Sequence, residues 1–176
     1  MTLTTPLANN FAACFGRPGR QIRAAVVLIL ALAAGLPLAC RSDSDRSPEL
    51  GTVDVRLGSQ TFRLWIAATE SKREYGLMNR RSMPAERGMI FVFRNEAPLG
   101  FWMRNTLIPL DIVYLNAAGR VVSIKHAKAL DETRVPSDGP AQFAIELNAG
   151  QAAAAGLKAG DVVALPPEAR SPKDLE

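Results

Sequence analysis

The sequence predicts an α+β domain that is mainly antiparallel β-sheet, curled into a small half-open β-barrel with two short helices. Between residues 51 and 165, apolar residues alternate with polar ones over many short runs, as in strands that bury one face. Turn-forming Gly, Pro, Asn and Asp residues separate these runs. Helical signals occur only after Thr69 and over residues 151–155.

The predicted elements follow in chain order. Residues 53–57 and 62–66 both alternate, and Gly58-Ser59 between them predicts a hairpin. Thr69 predicts the N-cap of a first helix that ends near Gly76, and Gly156 ends the second helix. Further short strands are predicted at 89–93, 101–103, 110–115, 121–127, 143–147 and 162–165, separated by turns at Pro98, Asn105, Pro109, Gly119 and Asp138-Gly139.

The first 40 residues have the order of an export signal. Arg17, Arg20 and Arg23 precede an apolar run over residues 24–38, and Ala39 and Cys40 follow it. The run is shorter than the roughly 20 residues of a spanning helix. The segment resembles a bacterial lipoprotein signal, whose cleavage leaves the cysteine lipidated. Ordinary cleavage and an uncleaved anchor remain alternatives, since such signals usually carry Leu where this chain has Pro37.

The remainder divides into three parts. Residues 41–50 are mainly polar and predict a flexible tether, residues 51–165 predict a single domain, and residues 166–176, with two prolines and several charges, predict a disordered tail. We therefore expect an exported protein at the periplasmic or cell-envelope face, with a membrane as partner through a lipid on Cys40. Arg41 after that cysteine resembles the pattern of lipoproteins sent to an outer membrane.

Charge and composition exclude several classes of function. The leader holds three of the 21 basic residues and none of the 17 acidic ones, so the rest of the chain is nearly neutral, which argues against a nucleic-acid partner. The two cysteines, Cys14 and Cys40, both lie in the leader segment, so the domain has no disulfide or thiol nucleophile. His126 is the only histidine, which removes the usual catalytic zinc arrangements. We expect no cofactor.

A set of motifs in the domain resembles the domain of unknown function 192 family of bacteria and archaea. The resemblance covers nearly the whole domain and implies a compact, β-rich and often exported fold with no established activity. The motifs that carry it are Gly76-Leu77-Met78, Gly88-Met89-Ile90-Phe91-Val92-Phe93, Phe101-Trp102-Met103-Arg104-Asn105-Thr106, Ile108-Pro109-Leu110-Asp111-Ile112, Ile145-Glu146-Leu147 with Gly150, and Gly160-Asp161.

The central motif is the predicted ligand-binding site. After an apolar strand come a cation, an amide and a hydroxyl, and Asp111 begins the next apolar strand. An Asp in such surroundings needs a partner, because an isolated buried carboxylate takes up a proton. We expect Arg104 and Asp111 to pair, either as a structural ion pair or within a small-ligand site. The predicted site residues are Trp102, Arg104, Asn105, Thr106 and Asp111.

The sequence favours a non-enzymatic binding or accessory module whose partner is a small molecule or an envelope protein. One alternative is a hydrolytic or carboxylate-metal enzyme that uses Asp111 and Glu146. Another is a Cu(I) carrier, because thioethers suit that ion, although Met residues more often fill gaps in a core. The side chains of this second alternative are Met78, Met83, Met89 and Met103, with Trp102 and His126.

Overall fold

A computed structural model of the chain describes residues 50–175. The predictions for the signal segment, for Cys40 and for residues 41–49 of the tether lie outside this range. Within it, none of the helices has the length and apolar character needed to cross a membrane.

The domain is built on one open, six-stranded sheet with the strand order β1-β2-β3-β6-β4-β5. The predicted β-rich character is confirmed, but the sheet is not a barrel. It is mixed, because β2 and β3 run parallel while the other neighbouring strands are antiparallel. The strands are β1 (Thr52–Leu57), β2 (Gln60–Ala67), β3 (Arg87–Phe101), β4 (Leu110–Leu115), β5 (Val121–Ala127) and β6 (Val135–Asn148).

In the described part of the chain, three very short helices, rather than two, accompany the sheet: α1 (Glu70–Tyr75), α2 (Gln151–Ala154) and α3 (Pro167–Arg170). The side chain of Thr69 accepts a hydrogen bond from the backbone N–H of Lys72, so it is the N-cap of α1 as predicted. Gly76 follows with a positive φ of 49° and ends the helix. The connection through α1 is long enough to bring the chain back to the same end of the sheet, which makes β2 and β3 parallel.

The largest departure from the predicted strands concerns β3 and β6. The sequence predicts turns at Pro98 and at Asp138-Gly139, whereas both positions lie inside long strands that pair with each other. Pro98 faces Pro140, and the register shifts on either side of Pro98. An irregular ladder of this kind tolerates prolines, because a residue without an N–H is not asked to donate at these points.

The sheet has two faces, each with its own apolar core. The back face carries Ile90, Val113 and Ile145 in one cluster that includes residues of α2 and α3. The opposite face carries Met89 and Ile112 in a second cluster. We call it the pocket face, because a cavity opens on it. Because side chains alternate along a strand, neighbours in sequence belong to opposite faces.

The end of the chain differs from the expectation of a disordered tail. Helix α3 lies within residues 166–175, and Ala169 is fully buried in the back-face core. Arg170 donates hydrogen bonds to the carbonyls of Leu165 and Ala117. The strand predicted at 162–165 is reduced to a single bridge between Arg120 and Val162.

Candidate functional site

The pocket face opens into a cavity of about 410 Å³ between α1 with its following loop, β3 and β6. Its lining combines aromatic rings with charged groups, a composition typical of sites that orient a small ligand. A second cavity of about 430 Å³ lies near the end of the chain, but the polar side chains around it are not deeply buried. The first cavity is therefore the candidate site.

Glu146 lies at the floor of this pocket. It occupies β6, between Met89 of β3 and Ile112 of β4, and it is only 4% exposed. Within residues 50–175, no group donates a hydrogen bond to its carboxyl group. Burial raises the pKa of Glu146 to about 8, because the charged form is poorly solvated there. The floor of the pocket is therefore an acid that is mostly protonated at neutral pH.

Aromatic rings form the wall nearest the sheet. The ring of Phe91 meets that of Phe101 edge to face with 4.8 Å between centroids, and Phe101 meets Tyr114 at 5.9 Å. The Tyr114 hydroxyl donates to the carbonyl of Val135 at 2.5 Å, so its proton is already used. Burial, followed by the charge of Glu146, raises the pKa of Tyr114. This wall therefore presents mainly apolar surface to the pocket.

The charged groups other than Glu146 come from α1 and from the segment before β6. Arg73 donates to the carbonyls of Ala68 and Val92 and lies 5.0 Å from the ring of Phe93. Arg134 lies so close to Gly100 that any larger residue there would displace its guanidinium. The exposed Glu70 and Glu74 complete this part of the lining. Both signs of charge therefore surround the pocket above an uncompensated carboxyl group.

Two of the five predicted site residues line this pocket, namely Trp102 and Thr106. Trp102 is 51% exposed, and the guanidinium of Arg104 lies 5.7 Å from its ring centroid. Asn105 has a φ of 54°, a left-handed conformation that Asn tolerates. The backbone N–H of Thr106 donates a hydrogen bond to the carbonyl of Met103 at 3.0 Å, which closes a tight turn. Arg104 and Asn105 shape this turn without lining the pocket.

The expected pair between Arg104 and Asp111 is wrong. Asp111 is fully buried, but one carboxylate oxygen is 2.6 Å from Nδ1 of His126 and the other accepts the backbone N–H of Ala152 at 3.0 Å. Asp111 and His126 are direct partners in the β4–β5 ladder. Arg104 is an exposed turn residue. The carboxyl group is therefore paired, as predicted, but its partners are not the predicted one.

The alternative that joins Asp111 to Glu146 is also wrong in its geometry. Glu146 is paired with Ile112, and Asp111 is paired with Leu147, so the two carboxyl groups project from opposite faces of the sheet. Residues 50–175 contain no cluster of three or more His, Cys, Asp or Glu side chains that could hold a metal ion. One site cannot use both carboxylates.

The methionines of the Cu(I) alternative lie mainly in the core. Met83, Met89 and Met103 belong to the pocket-face cluster, and the last two are completely buried. The ring of His126 is bonded to Asp111, whose side chain projects from the back face. This placement fits the other role considered for the Met residues, that of filling gaps in the core.

The sequence did not indicate that Glu146 lies in the pocket or that His126 is the partner of Asp111. Residues 143–147 are Phe, Ala, Ile, Glu and Leu, a strand pattern in which no local feature indicates that Glu146 is buried. The position of β6 inside the sheet and the cover of the pocket face bury it. The useful signal was the Ile145-Glu146-Leu147 motif itself, because it belongs to the family resemblance.

Comparisons with known proteins agree with that resemblance. The profile of DUF192, described as uncharacterized ACR, matches residues 53–165. A crystal structure from Novosphingobium aromaticivorans DSM 12444, of a protein of unknown function, has a TM-score of 0.60 at 38% identity, covering 66% of this chain and 85% of that one. A second crystal structure, from Sinorhizobium meliloti 1021, is described as a proposed transcription regulator, with a TM-score of 0.63 at 32% identity, covering 65% of this chain and 94% of that one.

The comparison with curated proteins gives no match. The family match extends over more than half of the chain, from the first strand to the residues before α3. The chain belongs to the domain of unknown function 192 family.

Proposed function

We propose that the protein is an exported, lipid-anchored envelope module that binds a small, partly apolar molecule without turning it over. The observation that carries the binding proposal is Glu146, a buried carboxyl group without a protein hydrogen-bond partner in residues 50–175, at the floor of a pocket with aromatic walls.

Burial without a hydrogen-bond partner is costly for a polar group. Most buried polar groups in folded proteins have a hydrogen-bond partner, and a group that lacks one calls for an explanation. Glu146 opens toward the pocket it lines, so a polar group of a ligand would reach its carboxyl group. The apolar part of that ligand would lie against Phe91 and Phe101, and Trp102 would cover it at the mouth.

Binding is favoured over hydrolysis because residues 50–175 bring a single buried acid to the pocket. The paired-carboxylate hypothesis requires Asp111 and Glu146 in one site, and the sheet separates them. Nucleophilic catalysis requires an activated side chain with an adjacent base, and Thr106, the one lining residue with an aliphatic hydroxyl, donates it to the carbonyl of Arg104 at 3.3 Å.

A pocket-filling variant tests the binding proposal. Met78 is half-buried and lines the pocket, so Met78→Trp should fill part of the cavity, while Met78→Leu keeps its volume. A library of small soluble molecules would be screened by NMR against the full chain in lipid nanodiscs. Ligands that bind the wild type and Met78→Leu should lose at least tenfold in affinity for Met78→Trp. Hits that bind all three proteins equally would contradict the proposal.

The anchor has its own test, which does not depend on the ligand. The support is the order of basic flank, apolar run, Ala39 and Cys40 in the leader. Cys40→Ala should abolish incorporation of a fatty-acid probe in cells, and Cys14→Ala should leave it unchanged. Equal labelling of the Cys40→Ala variant would overturn the proposed anchor.

A further inference from the structure

We propose that the ligand is a small organic amine whose ammonium group pairs with the Glu146 carboxylate while its apolar body lies against the aromatic wall. This inference rests on the proposed binding function and deepens it, because it names the class of ligand. It follows from the position of the charges around the pocket.

Among residues 50–175, no cation lies against the carboxyl group at the floor of the pocket. Arg73 is bonded to the carbonyls of Ala68 and Val92, and Arg134 lies on Gly100. Neither guanidinium offsets the effect of burial on Glu146, whose pKa stays raised to about 8. A ligand that brings a positive charge to this carboxyl group would supply the missing partner, since a buried charge is stable only when it is paired.

The rest of the lining also suits a cation. Aromatic faces attract ammonium groups through their negative π-systems, and Phe91, Phe101 and Trp102 surround the path to the floor. Three carboxyl groups line the pocket, Glu70, Glu74 and Glu146, against two guanidinium groups. An anionic ligand would gain nothing from Glu146 itself, whereas an amine gains a charge-assisted hydrogen bond there.

Proton balance gives this inference a signature. Glu146 is mostly protonated in the free protein at neutral pH, so a bound ammonium ion drives its proton to the buffer. The other titratable or charged groups that face the site are Glu70, Arg73, Glu74 and Tyr75 from α1 and its end, Tyr114 from β4 and Arg134 before β6. Binding of a neutral analogue leaves the proton on Glu146 and releases none.

Benzylamine and benzyl alcohol form a matched pair of probes. Calorimetry would use the full chain in nanodiscs, with empty nanodiscs as the blank, in buffers of different ionisation enthalpy. Benzylamine should bind about 50-fold more tightly at pH 8 than at pH 6, and should release about 0.9 proton at pH 7, as expected for a carboxyl group titrating near pH 8. Benzyl alcohol should show neither effect.

Two variants complete the experiment. Glu146→Gln keeps the shape of the side chain and should lower the affinity for benzylamine at pH 8 at least tenfold while preserving that for benzyl alcohol. Glu168→Gln makes the same change at an exposed position of α3 and should alter neither affinity. Benzylamine binding that is no tighter than benzyl alcohol binding, or that survives in Glu146→Gln, would overturn the inference.

The outcomes also separate this inference from the proposed function. Binding of benzyl alcohol that is lost in Met78→Trp, without any preference for benzylamine, would keep the pocket as a binding site and reject the amine. Failure of both probes to bind at millimolar concentration would reject the amine, and the wider library would then decide the proposed function. Proton release from wild type together with its loss in Glu146→Gln would support both.

Discussion

Asp111 and Glu146 are two buried carboxyl groups on neighbouring strands, and their surroundings differ completely. Asp111 has a partner for each oxygen, the ring of His126 and the N–H of Ala152. Glu146 has no protein donor within residues 50–175 and opens into a cavity. The hydrogen bonds of Asp111 are made within the fold, and they join β4 to β5 and to α2. The carboxyl group of Glu146 has unused hydrogen-bonding capacity, which is the property expected of a group that binds a ligand.

The largest effect is expected where the fold depends on the satisfied carboxyl group. Asp111→Ala removes both acceptors and leaves the buried N–H of Ala152 unsatisfied, so it should lower the free energy of unfolding by about 3 kcal/mol. Urea denaturation at pH 7 measures this. Asp138→Ala is the matched control, because that side chain is 61% exposed and paired with Lys125. A cost for Asp111→Ala no larger than that of the control would contradict a structural role.

The effect at Glu146 should have the opposite sign and depend on pH. The pKa of Glu146 is about 8 in the folded protein, against an ordinary value of 4.5. Between these two pH values the unfolded chain has lost this proton while the folded chain keeps it, so the stability of the wild type falls as the pH rises from 4.5 to 8. Gln does not titrate. Glu146→Gln should therefore raise the free energy of unfolding by about 2 kcal/mol at pH 8, after allowing about 2 kcal/mol for the buried amide, and lower it by about 2 kcal/mol at pH 4, where the wild-type carboxyl group is already neutral. Destabilisation at pH 8 would contradict the proposed difference between the two carboxyl groups.

A smaller effect is expected at His126, because its side chain is 73% exposed. His126→Ala removes one partner of Asp111 and should cost about 1 kcal/mol. The double variant with Asp111→Ala should cost less than the sum of the two single changes, since they share one interaction. Strictly additive costs from the four proteins would show that the two side chains do not interact in solution.

The smallest effect is expected at Arg104. Its guanidinium is exposed and lies over the ring of Trp102, not beside Asp111. Arg104→Ala should change the free energy of unfolding by less than about 0.5 kcal/mol, the usual range for surface substitutions. A cost near 3 kcal/mol would restore the ion pair with Asp111 that the sequence predicts.

Elements with a local signal were predicted well. The β1–β2 hairpin, the Thr69 cap, β4 and β5 follow from alternation and turn residues that lie within a few positions of one another. The long pairing of β3 with β6 was missed because Pro98 and Gly139 favour turns locally, while the ladder that includes them joins residues about 40 positions apart. Ala169 was placed in a tail because its burial depends on the distant back-face core.

The candidate site divides in the same way. The sequence predicts that Asp111 is buried and paired, since its neighbours are apolar, but its partner depends on the β4–β5 register that brings His126 opposite. The burial of Glu146 has no local signal in its strand, because it results from the interior position of β6 and from the cover over the pocket face. Trp102 and Thr106 were identified from the central motif because they follow a strand end that forms the pocket mouth.

The ionisation of Glu146 tests the contrast between the two carboxyl groups most directly. The side-chain carboxyl carbon can be followed by NMR between pH 3 and 10 in protein labelled at glutamate, with Glu146→Gln to assign its signal. We expect a midpoint at about pH 8 for the free protein. A midpoint near the ordinary value of 4.5 would show that this carboxyl group is solvated or already paired, and the proposed binding site would lose its basis.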